Sequence, residues 1–426
     1  MFTKIVKYRR NFLEISNFRR KFSTDTISKQ PAVVLGIETS CDDTACAIVN
    51  NNGKILSESK YSQLQFHLRA GGINPIFAQE LHRLHIEDVV TEALEGANMK
   101  VTDVDAIAVT NEPGITRSLI VGVRYAKHLA RKYSKPLIPV HHMEAHALTS
   151  RLENPDLKFP FLCLLASGGH CQLALVKSAT EFLLLGTSID SAPGTCFDRI
   201  ARALNLQAVP EYRNVSGGPA LELAASKSSN PNRFQFTLPL RDQPNCQFSF
   251  CGFRSQVIQT IDDIRNRLHL PRDEMIPYYE DLCASVLRIV TKHLLQRTQR
   301  AIHYCDRLGA FGVGATNKLD RTFVFSGGVA CNDFIYRAMN EMVSQFGFKS
   351  YRSSKRLCTD NGVMIAWNGL ERWHGNEEFY RNLDIDSVLP NSFTTLGSDH
   401  TELVTKKRLK CNFVKVPSMM CEDEIK

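Results

Sequence analysis

One pattern occurs twice in this chain of 426 residues and restricts its fold more than any other feature. Near residue 33, and again near residue 161, an apolar strand, a short polar or glycine turn and a second strand precede further strands that lead into helices. Strands that alternate with helices predict an α/β fold with a largely parallel sheet covered on both faces. Two such halves predict a cleft between them, where a ligand binds at the carboxyl ends of the strands.

The same spacing of apolar residues divides the chain into segments and long helices. The segments we expect are a basic leader at 1–30, a first lobe at 31–158, a second lobe at 159–395 and a tail at 396–426. The long helices predicted from apolar residues at helical spacing lie near 74–97, 253–269 and 277–305.

The net charge of +8 is concentrated at the start of the chain. Residues 1–30 hold eight Lys or Arg and only two Asp or Glu, so this segment alone carries +6. Its basic residues alternate with Phe, Ile and Leu, which is typical of a mitochondrial transit peptide. A basic arm that binds RNA is the alternative interpretation. The remaining residues carry only +2, so their composition says little about an RNA partner.

Composition argues against two other kinds of protein. Thirteen cysteines are scattered along the chain without a Cys-x-x-Cys pair, so a cysteine zinc site is not predicted. We expect reduced thiols, as in a cytosolic or matrix compartment. No uncharged apolar run approaches the roughly 18 residues that a membrane span needs. A hydrophobic share of 43% with 23% charged residues is ordinary for a soluble globular enzyme.

Four short turns with polar or glycine residues follow apolar strands. They are ETSCDD (38–43), NEPG (111–114), ASGGH (166–170) and SGGVACN (326–332). Backbone N–H groups in such turns can converge on phosphate oxygens, and glycine lets a ligand approach closely. A single glycine turn is usually only a turn, but four at equivalent ends of a two-lobed sheet predict a nucleotide held between the lobes.

This arrangement is similar to the two-lobed fold of the actin, hexokinase and Hsp70 superfamily. The first phosphate-binding hairpin of that superfamily stands where GIETSCDDTACAIV stands here. The likeness would place Asp42 and Asp43 towards the phosphates, acting through a metal ion or water rather than by direct contact. In the alternative interpretation both are ordinary turn residues.

The stretch PVHHMEAH (139–146) places His142 and His146 four residues apart. At about 100° per residue of helix, these two side chains share a face, whereas Glu144 lies about 200° from His142. A zinc protease of the His-Glu-x-x-His type needs its Glu directly after the first His, so Glu144 cannot serve as its base. We expect Glu144 to support the site indirectly or to join a contact between lobes, and His141 to be structural.

A pair of histidines needs at least one further ligand to hold a metal ion. The candidate is Asp360 of CTDNG, which lies at the start of the last long helix and in the other lobe. An Asp at this position can also simply cap the helix, and spacing alone does not decide. His82 and His85 lie on the helix predicted at 74–97, and we expect them at its surface.

Eight motifs follow one another between about residues 33 and 375. They are LGIETSCDDTA, PVHHMEAH, FPFLCLLASGGH, FDRIARALNL, SGGPALELA, FSFCGF, FSGGVACN and CTDNGVMIAW. In this order they resemble the universal tRNA N6-adenosine threonylcarbamoyltransferases, a TsaD-like family formerly called O-sialoglycoprotein endopeptidases. With the leader, they resemble its mitochondrial branch.

The resemblance implies transfer of a threonylcarbamoyl group from threonylcarbamoyl-AMP, which a separate synthase supplies, to a tRNA. The acceptor would be N6 of the adenosine 3′ of the anticodon, position 37, in mitochondrial tRNAs that read ANN codons. The products would be t6A and AMP. Mitochondrial members imply a homodimer, for which the helix at 74–97 is a candidate contact. The alternatives are a metalloprotease, a small-molecule kinase of the same superfamily and a scaffold that only binds nucleotide.

The resemblance also implies a role for each motif residue. One divalent metal ion, iron or zinc, would hold the phosphate of the adenylate and be bound by His142, His146 and Asp360. The phosphate and acyl parts would be lined by Leu165, Ala166, Ser167, Gly168 and Gly169. The adenosine moiety would be held by Asp198, Gly218 and Asn332. The acids essential to transfer would be Asp42 and Asp43, of which Asp42 is the better candidate to remove the N6 proton.

Several positions depart from the family pattern, among them three single residues. Cys171 stands where many relatives have Thr, and Thr195 stands where many have an acid. Arg117 lies in a turn that is usually small and apolar. We expect these departures to change the finer substrate contacts, because none removes a predicted metal ligand.

Overall fold

Eleven strands and thirteen α-helices are found in the residues that this computed structural model describes, 32–70, 72–311 and 321–419. The strands are β1 (Val33–Glu38), β2 (Asp43–Asn50), β3 (Ile55–Ser62), β4 (Ala106–Glu112), β5 (Leu137–His141), β6 (Phe161–Ala166), β7 (Cys171–Val176), β8 (Phe182–Thr187), β9 (Arg321–Ser326), β10 (Phe348–Tyr351) and β11 (Ser398–Asp399). The α-helices are α1 (Leu64–Arg69), α2 (Pro75–Gly96), α3 (Thr116–Tyr133), α4 (His142–Glu153), α5 (Pro193–Ala203), α6 (Gly217–Ala225), α7 (Cys251–Leu268), α8 (Tyr279–Arg307), α9 (Asp333–Gln345), α10 (Lys355–Cys358), α11 (Gly362–Trp373), α12 (Glu377–Arg381) and α13 (Thr401–Lys406). The predicted transit peptide at 1–30 lies outside the described residues.

The two halves of the sequence form two sheets with the same strand order. The first sheet is ordered β3-β2-β1-β4-β5, with β2 antiparallel to β1 and β3, and with β4 and β5 parallel to β1. The second is ordered β10-β9-β6-β7-β8-β11, so β6 takes the place of β1 and a short strand is added beside β8. The duplicated two-lobed α/β fold predicted from the sequence is confirmed.

The prediction of largely parallel sheets is wrong, because each half opens with two antiparallel pairs. These are β1 with β2 and β2 with β3 in the first sheet, and β6 with β7 and β7 with β8 in the second. Short turns join these strands, as where Gly53, at φ +77°, donates its N–H to the carbonyl of Asn50. A short turn can join only antiparallel neighbours, whereas parallel strands need a longer crossover. Both sheets are therefore mixed.

Helix α11 crosses the first sheet at very short range. A side chain added to Gly36 of β1 would lie 2.2 Å from the backbone nitrogen of Ala366, and one added to Gly362 would lie 2.4 Å from the carbonyl carbon of Cys46. Glycine at both positions allows this approach. As a result, the residues just before α11, including Asp360, lie beside the β1–β2 hairpin. Helices α2 and α3 cover the opposite face of the same sheet.

Helix α4 connects the two halves and is buried almost throughout. Met143 and Leu148 pack with Val324 of the second sheet, while Ala145 joins the core that α11 forms with the first sheet. Buried polar side chains are costly unless they are paired or bound. The polar residues of α4 therefore need partners, and those at its start find them in a cleft.

The second sheet, α5 to α9 and the end of the described chain share the largest core. The helices predicted at 74–97, 253–269 and 277–305 correspond to α2, α7 and α8 and are confirmed. Val404, Leu409 and Val416 anchor the tail on this core. The domain boundary between 158 and 159 stays a prediction, and α11 packs on the first sheet although it lies in the range given to the second lobe.

Two expectations from composition concern membranes and thiols. Within the described residues, no helix combines the length and apolar character required to cross a membrane. The twelve cysteines in this part of the chain carry free thiols, as expected for a reduced protein.

Candidate active site and metal centre

A cleft of about 820 Å³ lies between the two halves and is lined by all four predicted turns. The turns contribute residues 40–43, 113–115 and 167–170, and Gly328. They follow β1, β4, β6 and β9, which are corresponding strands of the two sheets. A cavity of this volume accommodates a small molecule of nucleotide size.

The three predicted metal ligands meet beside this cleft, and two of them, His142 and Asp360, form part of its wall. Nε2 of His146 lies 3.0 Å, and Nε2 of His142 lies 3.5 Å, from the same carboxylate oxygen, Oδ1 of Asp360. The two imidazole rings have centroids 4.7 Å apart and an interplanar angle of 89°. One candidate ligand atom from each residue lies within 4.8 Å of the other two. The i, i+4 spacing on α4 supplies the histidines, and the position of α11 supplies the Asp.

These three residues fit a metal ion. Two ligands at about 2.1 Å from one zinc or iron ion lie roughly 3–3.4 Å apart, close to the 3.0 and 3.5 Å observed here. Both histidines are buried and the Asp360 side chain is 24% exposed. Two imidazoles and a carboxylate form a donor set that suits these metals.

The charges around His142 also favour a bound cation. Burial lowers the pKa of His142, but Asp360 and Glu38 outweigh it and raise that pKa to about 9. Conversely, burial raises the pKa of Asp360, yet His142 and His146 hold it below its usual value. Two carboxylates around one imidazole thus stabilise positive charge at this point, whether it is carried by a proton or by a metal ion.

The capping role considered for Asp360 belongs to its neighbour. The side chain of Asn361 accepts the N–H of Met364 at 2.8 Å and so caps α11. The carbonyl oxygen of Asp360 accepts a hydrogen bond from Nζ of Lys60 at 2.8 Å. This leaves the carboxylate of Asp360 free to face the two histidines.

Glu38 and Ser40 orient His142, and the motif spacing alone did not reveal either role. The carboxylate of Glu38 lies 3.2 Å from Nδ1 of His142, and Oγ of Ser40 lies 3.1 Å from the same nitrogen. Glu38 is fully buried and also accepts the hydroxyl of Thr110 at 2.5 Å. With Nδ1 engaged, Nε2 is the nitrogen that faces Asp360. Such outer partners fix the ring orientation of a metal-binding histidine.

Glu144 does not act at the cleft. Its carboxylate pairs with the guanidinium of Arg372, so it joins the contact between α4 and α11, and its expected place in a contact between the lobes stays a prediction. His141 caps α4 by accepting the N–H of Met143 at 3.2 Å, and burial lowers its pKa to about 3. The geometry therefore gives His141 the structural role that was predicted.

The two acids of the first turn differ in their partners. Asp43 forms a 2.7 Å ion pair with Nζ of Lys60, whereas Asp42 forms no ion pair with any described residue. Both line the cleft. Burial, together with the negative charges of Asp43 and Asp360, raises the pKa of Asp42 to about 6. A carboxylate with this pKa is ionised at neutral pH and accepts a proton more readily than an ordinary Asp.

His82 is hydrogen-bonded to residues at the turn between β1 and β2, so the prediction that it lies at the surface is wrong. The side chain is fully buried. Its Nδ1 lies 2.7 Å from Oγ1 of Thr44, and its Nε2 lies 3.1 Å from the carbonyl oxygen of Cys41. The apolar pattern of α2 did not show which face of the helix packs on β2 and which face is exposed to solvent.

The glycine turn of the second half is open to the cleft. Ser167, Gly168 and Gly169 line it, and a side chain added to either glycine would meet no atom within 4 Å. Thr195, one of the departures, donates to the carbonyl of Gly168 at 2.6 Å. Leu165 and Ala166 are fully buried in β6 and are not part of the cleft wall.

Only one of the three residues predicted to hold adenosine lines the cleft. Asp198 does so, and its carboxylate accepts the backbone N–H groups of Gly217 and Gly218. Gly218 is not in the cleft wall. Asn332 is 7% exposed and caps α9 by accepting the N–H of Ile335 at 2.9 Å. The adenosine-binding roles stay predictions.

Three further residues of the motifs and turns, His170, Arg117 and Cys171, have different surroundings. His170 also lines the cleft, 6.5 Å from His142 between ring centroids, and burial lowers its pKa to about 4. It is therefore neutral at physiological pH. Arg117 donates to Gln79 at 3.2 Å, outside the cleft wall, and Cys171 is buried at the start of β7.

The sequence is similar to one family of known function over most of its length. A sequence model described as tRNA N6-adenosine threonylcarbamoyltransferase, TsaD, matches residues 54–367. The chain belongs to this family. The resemblance carried by the eight motifs is thereby confirmed.

Relatives in the threonylcarbamoyltransferase family match this chain nearly end to end. The probable mitochondrial enzyme of Drosophila melanogaster is 46% identical and covers 91% of this chain and 95% of its own length. The mitochondrial enzyme of Homo sapiens is 41% identical and covers 90% of this chain and 91% of its own. The enzyme of Rhodospirillum rubrum is 40% identical over 80% of this chain and 90% of its own.

Two solved structures are less similar to this chain than these relatives are. Component A of (R)-2-hydroxyglutaryl-CoA dehydratase from Acidaminococcus fermentans is 15% identical, with a TM-score of 0.42, and covers 80% of this chain and 98% of its own. Full-length HypF is 13% identical, with a TM-score of 0.45, and covers 82% of this chain and 47% of its own. Likeness of this size says nothing about the reaction.

Proposed function

We propose that this chain transfers the threonylcarbamoyl group of threonylcarbamoyl-AMP to N6 of adenosine 37 in mitochondrial tRNAs that read ANN codons. The products are t6A and AMP, and a separate synthase supplies the activated substrate in the mitochondrial matrix. Family membership supports the transfer to tRNA. The names of the relatives in Drosophila melanogaster, Homo sapiens and Arabidopsis thaliana support the compartment.

One observation carries the proposal. His142, His146 and Asp360, which are far apart in sequence, bring their ligand atoms together beside a cleft of about 820 Å³ that both halves of the chain line. These residues would hold one divalent iron or zinc ion, and the bound ion supplies positive charge that stabilises the phosphate of the leaving AMP. Glu38 and Ser40 keep the imidazole of His142 in the orientation this requires.

The residues of the chain position the reactants and accept a proton. During transfer, a bond forms between N6 and the carbamoyl carbon, and the bond from that carbon to the phosphate oxygen of AMP breaks. N6 of adenine is a poor nucleophile, so its placement in the cleft is the main requirement. Asp42, with its pKa raised to about 6 by burial and nearby acids, accepts the N6 proton. Lys60 keeps Asp43 paired beside it.

The second half of the chain leaves room for the adenylate. Gly168 and Gly169 carry no side chain that would intrude on the cleft, and the space beside both is empty. Their turn receives the phosphate and acyl parts, and Asp198 faces the same cleft, where its carboxylate suits the hydroxyls of the ribose.

A second copy of the chain completes the assembly in this proposal. On α2, Ile76, Phe77 and Leu84 are about half or more exposed, and the ring of Phe66 on α1 packs against Phe77 at 5.4 Å between centroids. Exposed apolar surface of this kind is typical of a protein contact. Light scattering of the unchanged chain and of Leu84→Glu tests it, since a dimer held here should dissociate in the variant.

The transfer itself is tested by reconstitution. The purified chain is incubated with unmodified mitochondrial tRNA, a threonylcarbamoyl-AMP synthase, threonine, bicarbonate and ATP, and the tRNA nucleosides are analysed by mass spectrometry. We expect t6A in tRNAs that read ANN codons and none when the chain is omitted. Absence of t6A with a folded chain and a working synthase would exclude the proposal.

Replacing Asp360 by Ala tests the metal centre directly. The variant removes the carboxylate that both histidines face, so we expect metal content per chain to fall at least tenfold and t6A formation to be lost. Circular dichroism should stay unchanged, because Asn361 caps α11. The matched control Asp333→Ala removes a surface carboxylate that pairs with Lys355 and should retain its metal. Normal metal content in Asp360→Ala would remove Asp360 from the site.

The rival activities make different demands on the same site. A metalloprotease would need Glu144 as its base, but that carboxylate pairs with Arg372. Glu144→Ala should therefore lower t6A formation only as far as it lowers the folded fraction of the chain. A small-molecule kinase would consume ATP without tRNA. A scaffold that only binds nucleotide would keep its function in the His142→Ala variant.

A further inference from the structure

Two cysteine thiols contact each other beside the candidate metal centre. Cys331 ends the SGGVAC turn after β9, and Cys358 ends α10, with a hydrogen bond between their side chains. Cys331 precedes Asn332, and Cys358 lies two residues before Asp360. The two chain segments that carry these thiols also contribute Gly328, Thr359 and Asp360 to the cleft wall.

The two thiols differ in exposure. Cys331 is partly exposed and Cys358 is fully buried. The sulfur of Cys358 lies 3.2 Å from the carbonyl oxygen of Ser353, and that of Cys331 lies 3.6 Å from the carbonyl oxygen of Lys355. One thiol is thus partly reachable from solvent, and its partner is buried.

The surroundings of Cys331 favour its thiolate. The hydrogen bond from Cys358 and the positive charges of Arg352 and Lys355 lower the pKa of Cys331, although burial opposes them. Both cations are fixed nearby by ion pairs with Asp333. The thiolate is the form of cysteine that peroxides oxidise, and partial exposure with a second thiol in reach is the usual setting of a redox-sensitive pair.

We propose that Cys331 and Cys358 form an oxidative modification site, at which a peroxide converts the two thiols into a disulfide. The Cys331 thiolate attacks a peroxide oxygen and becomes a sulfenic acid, with release of water from hydrogen peroxide after one proton is taken up. The Cys358 thiol then attacks the Cys331 sulfur, an S–S bond forms, and the sulfenic oxygen leaves as a second water. A dithiol reductant reduces the disulfide back to two thiols and is itself oxidised to a disulfide.

Closing this bond should disturb the metal centre. An S–S bond of about 2.05 Å is far shorter than a hydrogen-bond contact between two sulfur atoms, so the two side chains must approach each other and thereby pull on α10 and on the turn after β9. Asp360 follows Cys358 by two residues, and its carboxylate must stay within reach of both imidazoles. We expect the oxidised form to bind the metal at least tenfold more weakly, a consequence that rests on the function proposed for His142, His146 and Asp360.

The modification is tested with the full chain and hydrogen peroxide, without tRNA. Mass spectrometry of the unreduced protein and its proteolytic peptides should show the loss of two hydrogens and a peptide pair joined through Cys331 and Cys358. Cys331→Ser and Cys358→Ser should lack this link, and dithiothreitol should remove it. The control Cys411→Ser, which loses another partly exposed thiol, should still form it. Oxidation of Cys331 to a sulfinic acid without the link would overturn the proposal.

Metal binding of the oxidised and reduced forms tests the coupling to the site. Titration with Zn²⁺ or Fe²⁺ should give a dissociation constant at least tenfold larger for the oxidised chain, and an unchanged one for peroxide-treated Cys331→Ser. Equal affinities of the two forms would overturn the coupling. Because the link is measured without tRNA, its formation decides the modification site even if reconstituted transfer fails.

Discussion

The turn between β1 and β2 and the turn between β6 and β7 hold corresponding positions in the two sheets but are built differently. In the first, the carbonyl oxygen of Cys41 receives bonds from His82 and Ser118, and Ser40 lies against His142. In the second, the space beside Gly168 and Gly169 is empty. One turn is therefore held rigidly by its neighbours, and the other is open to a ligand.

The difference shows how a duplicated fold divides the work of one cleft. The first turn carries charged side chains whose orientation matters, and its backbone is hydrogen-bonded from several sides. In the proposed function the second turn receives a bulky anionic ligand, and its glycines carry no side chain where that ligand would pass. Substitutions in the two turns should therefore fail in different ways.

Glu38→Ala should have the largest effect on stability. It leaves the hydroxyl of Thr110 and the N–H of Ser40 without an acceptor in a buried place, while Nδ1 of His142 keeps only Oγ of Ser40 as a partner. At roughly 1–3 kcal/mol for each unpaired group, we expect the free energy of unfolding in urea to fall by at least about 2 kcal/mol. Transfer should also fall, by about 10–100-fold, because His142 loses one of the two groups that orient it.

Glu38→Gln is the control for this change. It keeps the shape and one acceptor oxygen, so we expect a smaller loss of stability than in Glu38→Ala. Equal unfolding midpoints for Glu38→Ala and the unchanged chain would contradict the description of the first turn as rigidly held.

Asp42→Asn should come next, since it removes the proposed proton acceptor without removing volume. Loss of a general base costs about 10²–10⁴-fold in rate. Because the base must be ionised and its pKa is raised to about 6, the rate of the unchanged chain should fall as the pH drops below about 6 and level off above it. The variant should lose this dependence. Asp43→Asn, whose parent carboxylate is paired with Lys60, should keep it.

The pH profile of single-turnover transfer is the measurement. A profile of Asp42→Asn that still falls below about pH 6 would assign the proton to another group.

Gly114→Ala tests the packing around the first turn. The added methyl carbon would lie 2.7 Å from the carbonyl oxygen of Ser40 and 2.9 Å from its Cβ, which is too close without a backbone shift. Overpacking of this kind costs about 1–3 kcal/mol, measurable as a lower unfolding midpoint. Unchanged stability would mean that the first turn yields more easily than its contacts indicate.

Gly169→Ala is the matched change in the second turn and should have the smallest effect on stability. Its methyl group meets no atom within 4 Å, so the free energy of unfolding should change by less than about 0.5 kcal/mol. The methyl group occupies cleft space, however, so the KM for threonylcarbamoyl-AMP should rise about tenfold. A large loss of stability, or an unchanged KM, would show that the second turn is not an open ligand surface.

Much of this site could be predicted from the sequence, but only where spacing carries the geometry. The spacing of four positions from His142 to His146 places them on one helix face in any α-helix. Glycine and acidic turns after apolar strands marked the cleft in the same way. The roles of Glu38, Ser40 and His82 could not be found, because each depends on which face of a neighbouring element packs against the turn. His82 was expected at the surface for this reason.

The sequence by itself determined the twofold pattern, the helical pair of histidines and, through its eight motifs, the family. These are local properties, since strand and helix periods repeat every few residues. Only the tertiary structure decided that Asp360 faces the histidines while Asn361 takes the cap, and that Cys331 reaches Cys358. Contacts between segments that are distant in sequence depend on how helices such as α11 cross the sheet, and that crossing is set by packing over the whole core.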